Sequence, residues 1–146
     1  MARILIVDDE SAVREVTGLA IADARHTIEE AGDAQSALAA MASHPADVVI
    51  SDVQMPGESG LWLTAQIRNT YPLTAVILAT GISTVPATIT LRAGVVSYLV
   101  KPFTRAALLN ALSLALAWHD ETKASGPRSQ DRGDVLQAWL DSIEDV

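Results

Sequence analysis

Five short apolar runs recur along the chain at similar intervals: ILIV from Ile4, a weaker TIEEA from Thr27, VVIS from Val48, AVILA from Ala75 and SYLV from Ser97. Between them lie segments of helical character, with apolar positions repeating close to every 3.6 residues. That alternation is the rhythm of βα units and predicts an α/β fold whose parallel sheet is covered on both faces. The first helix is expected from near Ser11, with Val13, Val16, Leu19, Ala20 and Ala24 on its inner face. The second follows Asp33, a good N-cap, and runs through QSALAAM until SHP stops it. The third opens after the Gly57 to Gly60 turn, carries Leu61, Leu63, Ala65 and Ile67, and closes before Pro72. A fourth is expected from about Val85 to Ala93, with Pro86 in its first turn, although Thr88, Ile89 and Thr90 are β-branched and favour helix poorly.

The fifth helix, Arg105 to Trp118, is apolar almost all round, interrupted by Asn110 and Ser113. Such a helix has more apolar surface than one contact with a sheet can hide. After His119 the composition turns polar, with Gly and Pro, so residues 120–134 read as a linker. Then VLQAWLDSIEDV places Val135, Leu136, Trp139, Leu140 and Ile143 on one face of a short amphipathic helix over 135–146. Twelve residues are marginal as an isolated helix, so this segment needs a surface to lie against.

Composition narrows the function classes. The 146 residues fit one domain, and the 49% hydrophobic content is ample for a core. A formal charge of -8, with no basic stripe, argues against a nucleic-acid surface. There is no cysteine, which excludes disulfides and thiolate metal sites and allows a reducing compartment. The start, MARILIVDDE, lacks the long apolar stretch of a signal peptide, and the longest uncharged run, Ala106 to Trp118, is 13 residues, too short to span a bilayer. A cytoplasmic protein is expected, with no membrane and no nucleic-acid partner. His26, His44 and His119 carry no partner pattern and read as surface residues.

In an open parallel sheet, ligands bind beyond the carboxyl ends of the strands, so the residues that close each apolar run carry the chemistry. These are Asp8 and Asp9 after the first, Asp52 after the third, Thr80 after the fourth and Lys101 after the fifth. Carboxylates gathered at one edge repel each other by about 4 kcal/mol per pair at ~4 Å and an effective dielectric of ~20. A hard divalent cation removes that cost. Mg²⁺ takes oxygen ligands and one or two carboxylates, whereas zinc would want the histidines or thiolates that this set lacks. A carboxylate beside Mg²⁺ and a lysine can act as a nucleophile toward a phosphoryl group, with Lys101 balancing the oxygens and Thr80 donating a hydrogen bond.

The segments ILIVDDE, VVISDVQMPG, ILATG and SYLVKPF, in this order and spacing, resemble the receiver domain of two-component response regulators, the CheY-like family, over about residues 1–119. The resemblance implies a doubly wound, flavodoxin-like sheet of five parallel strands in the order 2-1-3-4-5, with two helices on one side and three on the other. It implies phosphorylation on Asp52, with Mg²⁺ held by Asp9, Asp52 and the backbone carbonyl of Gln54, and by Asp8 through water. It further implies that Lys101, in a Lys-Pro motif with a cis peptide bond, pairs with the phosphoryl group. Thr80 would be the switch hydroxyl and Tyr98 the aromatic that moves inward. The partner would be a sensor histidine kinase or a phosphotransfer protein. Glu58 and Ser59 depart from the family's usual pair before Gly60, and Ile82 is apolar where many relatives are polar, which is expected to slow hydrolysis of the acyl phosphate.

Each residue also has a plainer reading: Asp8 and Asp9 could cap a helix, Asp52 anchor a turn, Thr80 steady a loop, Lys101 sit in solvent and Tyr98 pack in the core. Their joint placement at strand ends favours the shared site. TGIST from Thr80 does not suit a flavodoxin-type phosphate loop, because such loops follow the first strand, where two acids stand here. A phosphatase acting through Asp52 would want an acid-base aspartate two residues on, and that residue is Gln54. Only 27 residues follow His119, too few for a DNA-binding effector, so a stand-alone regulator acting through protein contact is expected rather than an enzyme. The alternative is a homodimeric interaction protein, built on Ala106 to Trp118 and the 135–146 tail.

Overall fold

The computed structural model describes residues 2–23, 25–81 and 95–125. The expected fourth helix, Ile82, and the 135–146 segment lie outside these residues. The described elements are β1 (Ala2–Val7), α1 (Ser11–Ile21), β2 (His26–Ala31), α2 (Ala34–Ser43), β3 (Val48–Asp52), α3 (Gly60–Thr70), β4 (Ala75–Thr80), β5 (Val95–Val100) and α4 (Arg105–Ser125). The five strands form one parallel sheet in the order β2-β1-β3-β4-β5, as the resemblance implies.

Side chains alternate across the sheet with the period of two that a strand imposes. Ile4, Ile6, Val48, Ile50, Ile77 and Leu99 pack on one face with Ile21 of α1 and Leu108, Leu112 and Ala115 of α4. Leu5, Val7, Val49, Val76 and Leu78 pack on the other with Ala37 and Met41 of α2 and Leu63 and Ile67 of α3. Among the described residues, two helices therefore cover each face. β1, β3 and β4 are buried on both faces, which is why their sequences are continuous apolar runs rather than alternating ones.

Local signals set the helix starts. Asp33 Oδ1 accepts the Ser36 N–H at 2.7 Å, Ser59 Oγ accepts the Trp62 N–H at 3.2 Å, and Thr104 Oγ1 accepts the Ala107 N–H at 3.0 Å. α1 starts at Ser11 as expected but ends at Ile21 and has a different inner face; Ala24 lies outside the described residues. Val16 and Leu19 are 66% and 72% exposed, while Thr17 and Ile21 are buried. Gly18 lies on this inner side, where a Cβ would make ordinary contacts at 3.7 Å with Ile6 and 3.9 Å with Ile28. The stripe through Thr17, Gly18 and Ile21 faces the sheet, and Val16 and Leu19 are turned to solvent.

α4 runs six residues beyond His119, into the start of the segment expected to be a linker. It is also less greasy on its outer side than composition implied. Leu108, Ala111, Leu112, Ala115 and Thr122 are buried, and within the Ala106 to Trp118 run the exposed positions are Ala106, Asn110, Ser113 and Ala117 with a single large apolar residue, Leu114. His119 is not a surface residue: Nδ1 lies 2.6 Å from the Leu73 carbonyl and Nε2 3.3 Å from Asp47 Oδ1, with 12% of the side chain exposed. No described helix is long and apolar enough to cross a membrane.

Candidate functional site

β1 and β3 are neighbours in the centre of the sheet and end level with one another, Val7 against Ser51. The chain following β1 and the last residue of β3 therefore deliver Asp8, Asp9 and Asp52 to one spot. Each offers a carboxylate oxygen, and these atoms all lie within 4.8 Å of one another. Asp8 and Asp52 are buried and Asp9 is exposed. β5 ends at Val100, and Lys101 reaches back over β4 to place Nζ 2.7 Å from Asp8 Oδ2 and 3.4 Å from Asp52 Oδ2. The backbone N–H of Lys101 donates to the Thr80 carbonyl at 2.7 Å, which puts Thr80 beside it at the end of β4. The Lys101–Pro102 peptide bond is cis, as the resemblance implies.

Three carboxylates thus face one ammonium. The Asp52 carboxyl is pushed above its ordinary range, first because burial disfavours its charge. Lys101 pulls it back, Asp8 adds to the rise, and a hydrogen bond from the Gln54 N–H opposes it. For Lys101, burial alone would lower the ammonium's pKa, but the hydrogen bond to Asp8 and the charges of Asp52 and Asp8 outweigh it and the net shift is upward. Lys101 is therefore held as a cation. Asp8 is further fixed by the Glu10 N–H on Oδ1 at 2.9 Å, while its carbonyl accepts from Arg14 at 2.6 Å.

Two supports were not foreseen from the sequence. Gly60, at the start of α3, sits so close to β3 that a Cβ would run into the Asp52 carbonyl, and its N–H donates to the Val53 carbonyl at 2.8 Å. Only glycine allows that seating. Arg14 ties the loop after β1 to β2, with Nε 3.1 Å from Glu30 Oε1. An arginine in the first turn of α1 gave no sign of this, because its partner lies on another strand.

Asp8, Asp9, Asp52 and Lys101 are brought together, with Thr80 and Gln54 adjacent through backbone contacts. Tyr98 stands on β5 opposite Leu78, packed against the cluster on the α2 and α3 side of the sheet. The oxygen-only donor set fits a hard divalent cation such as Mg²⁺.

A doubly wound parallel sheet in this order, with acids after its two central strands and a lysine after its edge strand, defines a CheY-like α/β domain. Residues 4–113 match the model of the response regulator receiver domain, and the chain belongs to that family. It is 36% identical over 113 residues to the response regulator protein FleR of Pseudomonas aeruginosa, covering 77% of this chain and 24% of that protein. It is 39% identical over 99 residues to the transcriptional regulator NtrC of Salmonella typhimurium, covering 67% of this chain and 21% of that protein. The chain thus spans less than a quarter of these two relatives. Among solved structures, the chemotaxis response regulator CheY4 of Vibrio cholerae superposes with a TM-score of 0.73 at 33% identity, covering 80% of this chain and 99% of that one. The response regulator TrrA of Thermotoga maritima, in complex with Mg²⁺ and BeF, has a TM-score of 0.72 at 33% identity, covering 80% of this chain and 100% of that one.

Proposed function

We propose that this protein is a cytoplasmic phosphoacceptor switch that takes a phosphoryl group on Asp52 from the phosphohistidine of a sensor kinase or phosphotransfer protein. The observation that carries the reading is the excess of carboxylate over ammonium at the strand ends, with Asp52 at its centre. A carboxylate oxygen of Asp52 attacks the phosphorus, the bond from phosphorus to the donor's imidazole nitrogen breaks, and an acyl phosphate forms on Asp52. Lys101, already within ion-pair distance of Asp52, turns to the incoming phosphoryl oxygens, and the Thr80 hydroxyl donates to one of them. Asp9, Asp52 and the Gln54 carbonyl would hold Mg²⁺, with Asp8 acting through water. When bound, Mg²⁺ offsets the charge of the carboxylates and of the phosphoryl oxygens.

Recruitment of Thr80 to the phosphoryl group biases the position of Tyr98 on the neighbouring strand, and the change is read by a protein partner. Intact mass tests the assignment. With acetyl phosphate and Mg²⁺ the protein gains one phosphoryl, and Asp52→Ala abolishes the gain. Undiminished labelling of that variant overturns it.

A further inference from the structure

A cleft of about 440 Å³ opens on the face covered by α1 and α4, far from the carboxylates. It is lined by Arg25 and His26, at the start of β2, and by Leu109, Leu112, Ser113 and Leu116 of α4. Its floor is apolar, yet His26 Nδ1 is buried without a hydrogen-bond partner among the described residues. A buried acceptor or donor left unpaired costs about 1–3 kcal/mol, so this atom marks a cleft short of one polar contact.

We infer that the cleft is the seat of the chain's own 135–146 segment, folded back along α4 within one molecule. Length permits it. Leu109 to Leu116 spans about 10 Å of helix and Val135 to Ile143 would span about 12 Å, at ~1.5 Å per residue. Ser125 lies about 13 Å along the axis from Leu116, and residues 126–134 can reach up to ~30 Å when extended. Chemistry permits it too. The segment's one apolar face, Val135, Leu136, Trp139, Leu140 and Ile143, matches three leucines. Trp139 brings an indole N–H, a pure donor, to the side that holds the unpaired His26 nitrogen. From residue 134 onward the charged residues are Asp134, Asp141, Glu144 and Asp145, all acidic, whereas the mouth of the cleft carries Arg25, which pairs with Asp23 at 3.3 Å and keeps 80% of its side chain exposed. The docking is independent of phosphoryl transfer at Asp52.

Absence of native cysteine makes the test direct. Ser113 is exposed, so Ser113→Cys leaves the helix packing intact, and it is combined in the full chain with Leu136→Cys or with Leu140→Cys. Under mild oxidation at least one pair forms a disulfide within a monomer, seen as the loss of two hydrogens without a change in oligomer mass. It forms at least about tenfold faster than the pair with Ala138→Cys on the opposite side of the segment. Equal rates for all three pairs overturn the docking. A disulfide joining two chains overturns the fold-back and assigns the cleft to the segment of a second copy.

Discussion

The two rims of the sheet both place an acid at a strand end, and they treat it in opposite ways. At the amino ends of the strands, Asp47 receives the Arg3 N–H at 3.0 Å on one oxygen and faces His119 at 3.3 Å with the other. Beside it Arg68 donates to the carbonyls of Thr74 and Pro72 and stacks 4.8 Å from the Trp118 ring centroid, while the Thr74 hydroxyl donates to Ala46 at 2.7 Å. Asp47, Arg68, Thr74 and His119 each have a partner there, and the cluster ties α3 and α4 to the sheet. At the carboxyl ends, Asp8, Asp9 and Asp52 lie together, and among the described residues the cation paired there is Lys101, with Asp8 and Asp52. The difference is a matter of charge balance. A closed ledger of donors and acceptors is what a structural lock looks like, and a surplus of negative charge in a fixed place is what a cation and a phosphoryl group can use.

The largest expected effect breaks the comparison at its charged side. Mg²⁺ at one hundred times its dissociation constant should raise the unfolding free energy by about 2.7 kcal/mol through binding to the folded state alone. Asp9→Asn should abolish most of that gain. Because Asp9 is exposed and its neighbours repel it, the same variant without Mg²⁺ should stay within ~0.5 kcal/mol of the parent. Urea unfolding with and without Mg²⁺ measures both. If Asp9→Asn unfolds the metal-free protein, the carboxylates serve structure and the contrast fails.

Arg68→Met tests the other rim and should cost about 2 kcal/mol, from two hydrogen bonds to carbonyls and the stacking on Trp118. Burial lowers the Arg68 pKa, but a guanidinium stays charged in a protein, so this loss should not vary between pH 6 and 8. The Mg²⁺-dependent gain should survive unchanged. A parallel loss of metal stabilisation would mean that the two rims are coupled through the sheet.

The charged rim was legible in the sequence because a parallel sheet reduces the search to one position per strand. Asp8, Asp9, Asp52 and Lys101 each follow or close an apolar run, and the register of β1 with β3 makes the acids meet. The opposite rim was not legible. His119 and Asp47 pair across distant parts of the chain, and nothing local distinguishes His119 from a solvated histidine. Gly60 was read as part of a turn, because its close approach to the Asp52 carbonyl depends on where α3 is seated. The inner face of α1 was not legible either: Val16 and Leu19 are the more apolar choice, yet it is Thr17 and Ile21 that are buried.

The smallest effect asks whether nearness to the charged rim is enough to make a residue functional. Ser59 lies next to Gly60, whose N–H is bonded to the Val53 carbonyl just beyond Asp52, yet its hydroxyl serves as the N-cap of α3 by accepting from Trp62. Ser59→Ala should therefore cost about 1 kcal/mol, the usual worth of such a cap. It should leave the extent of labelling by acetyl phosphate intact, since Gly60 and not the cap sets the distance between α3 and β3. Ser59→Asp should recover most of the lost stability, because aspartate caps as well as serine. Intact mass and urea midpoints on the two variants separate the possibilities. A loss of labelling that tracks the loss of the cap would place Ser59 within the site, and the charged rim would then extend along α3 beyond the three acids and the lysine.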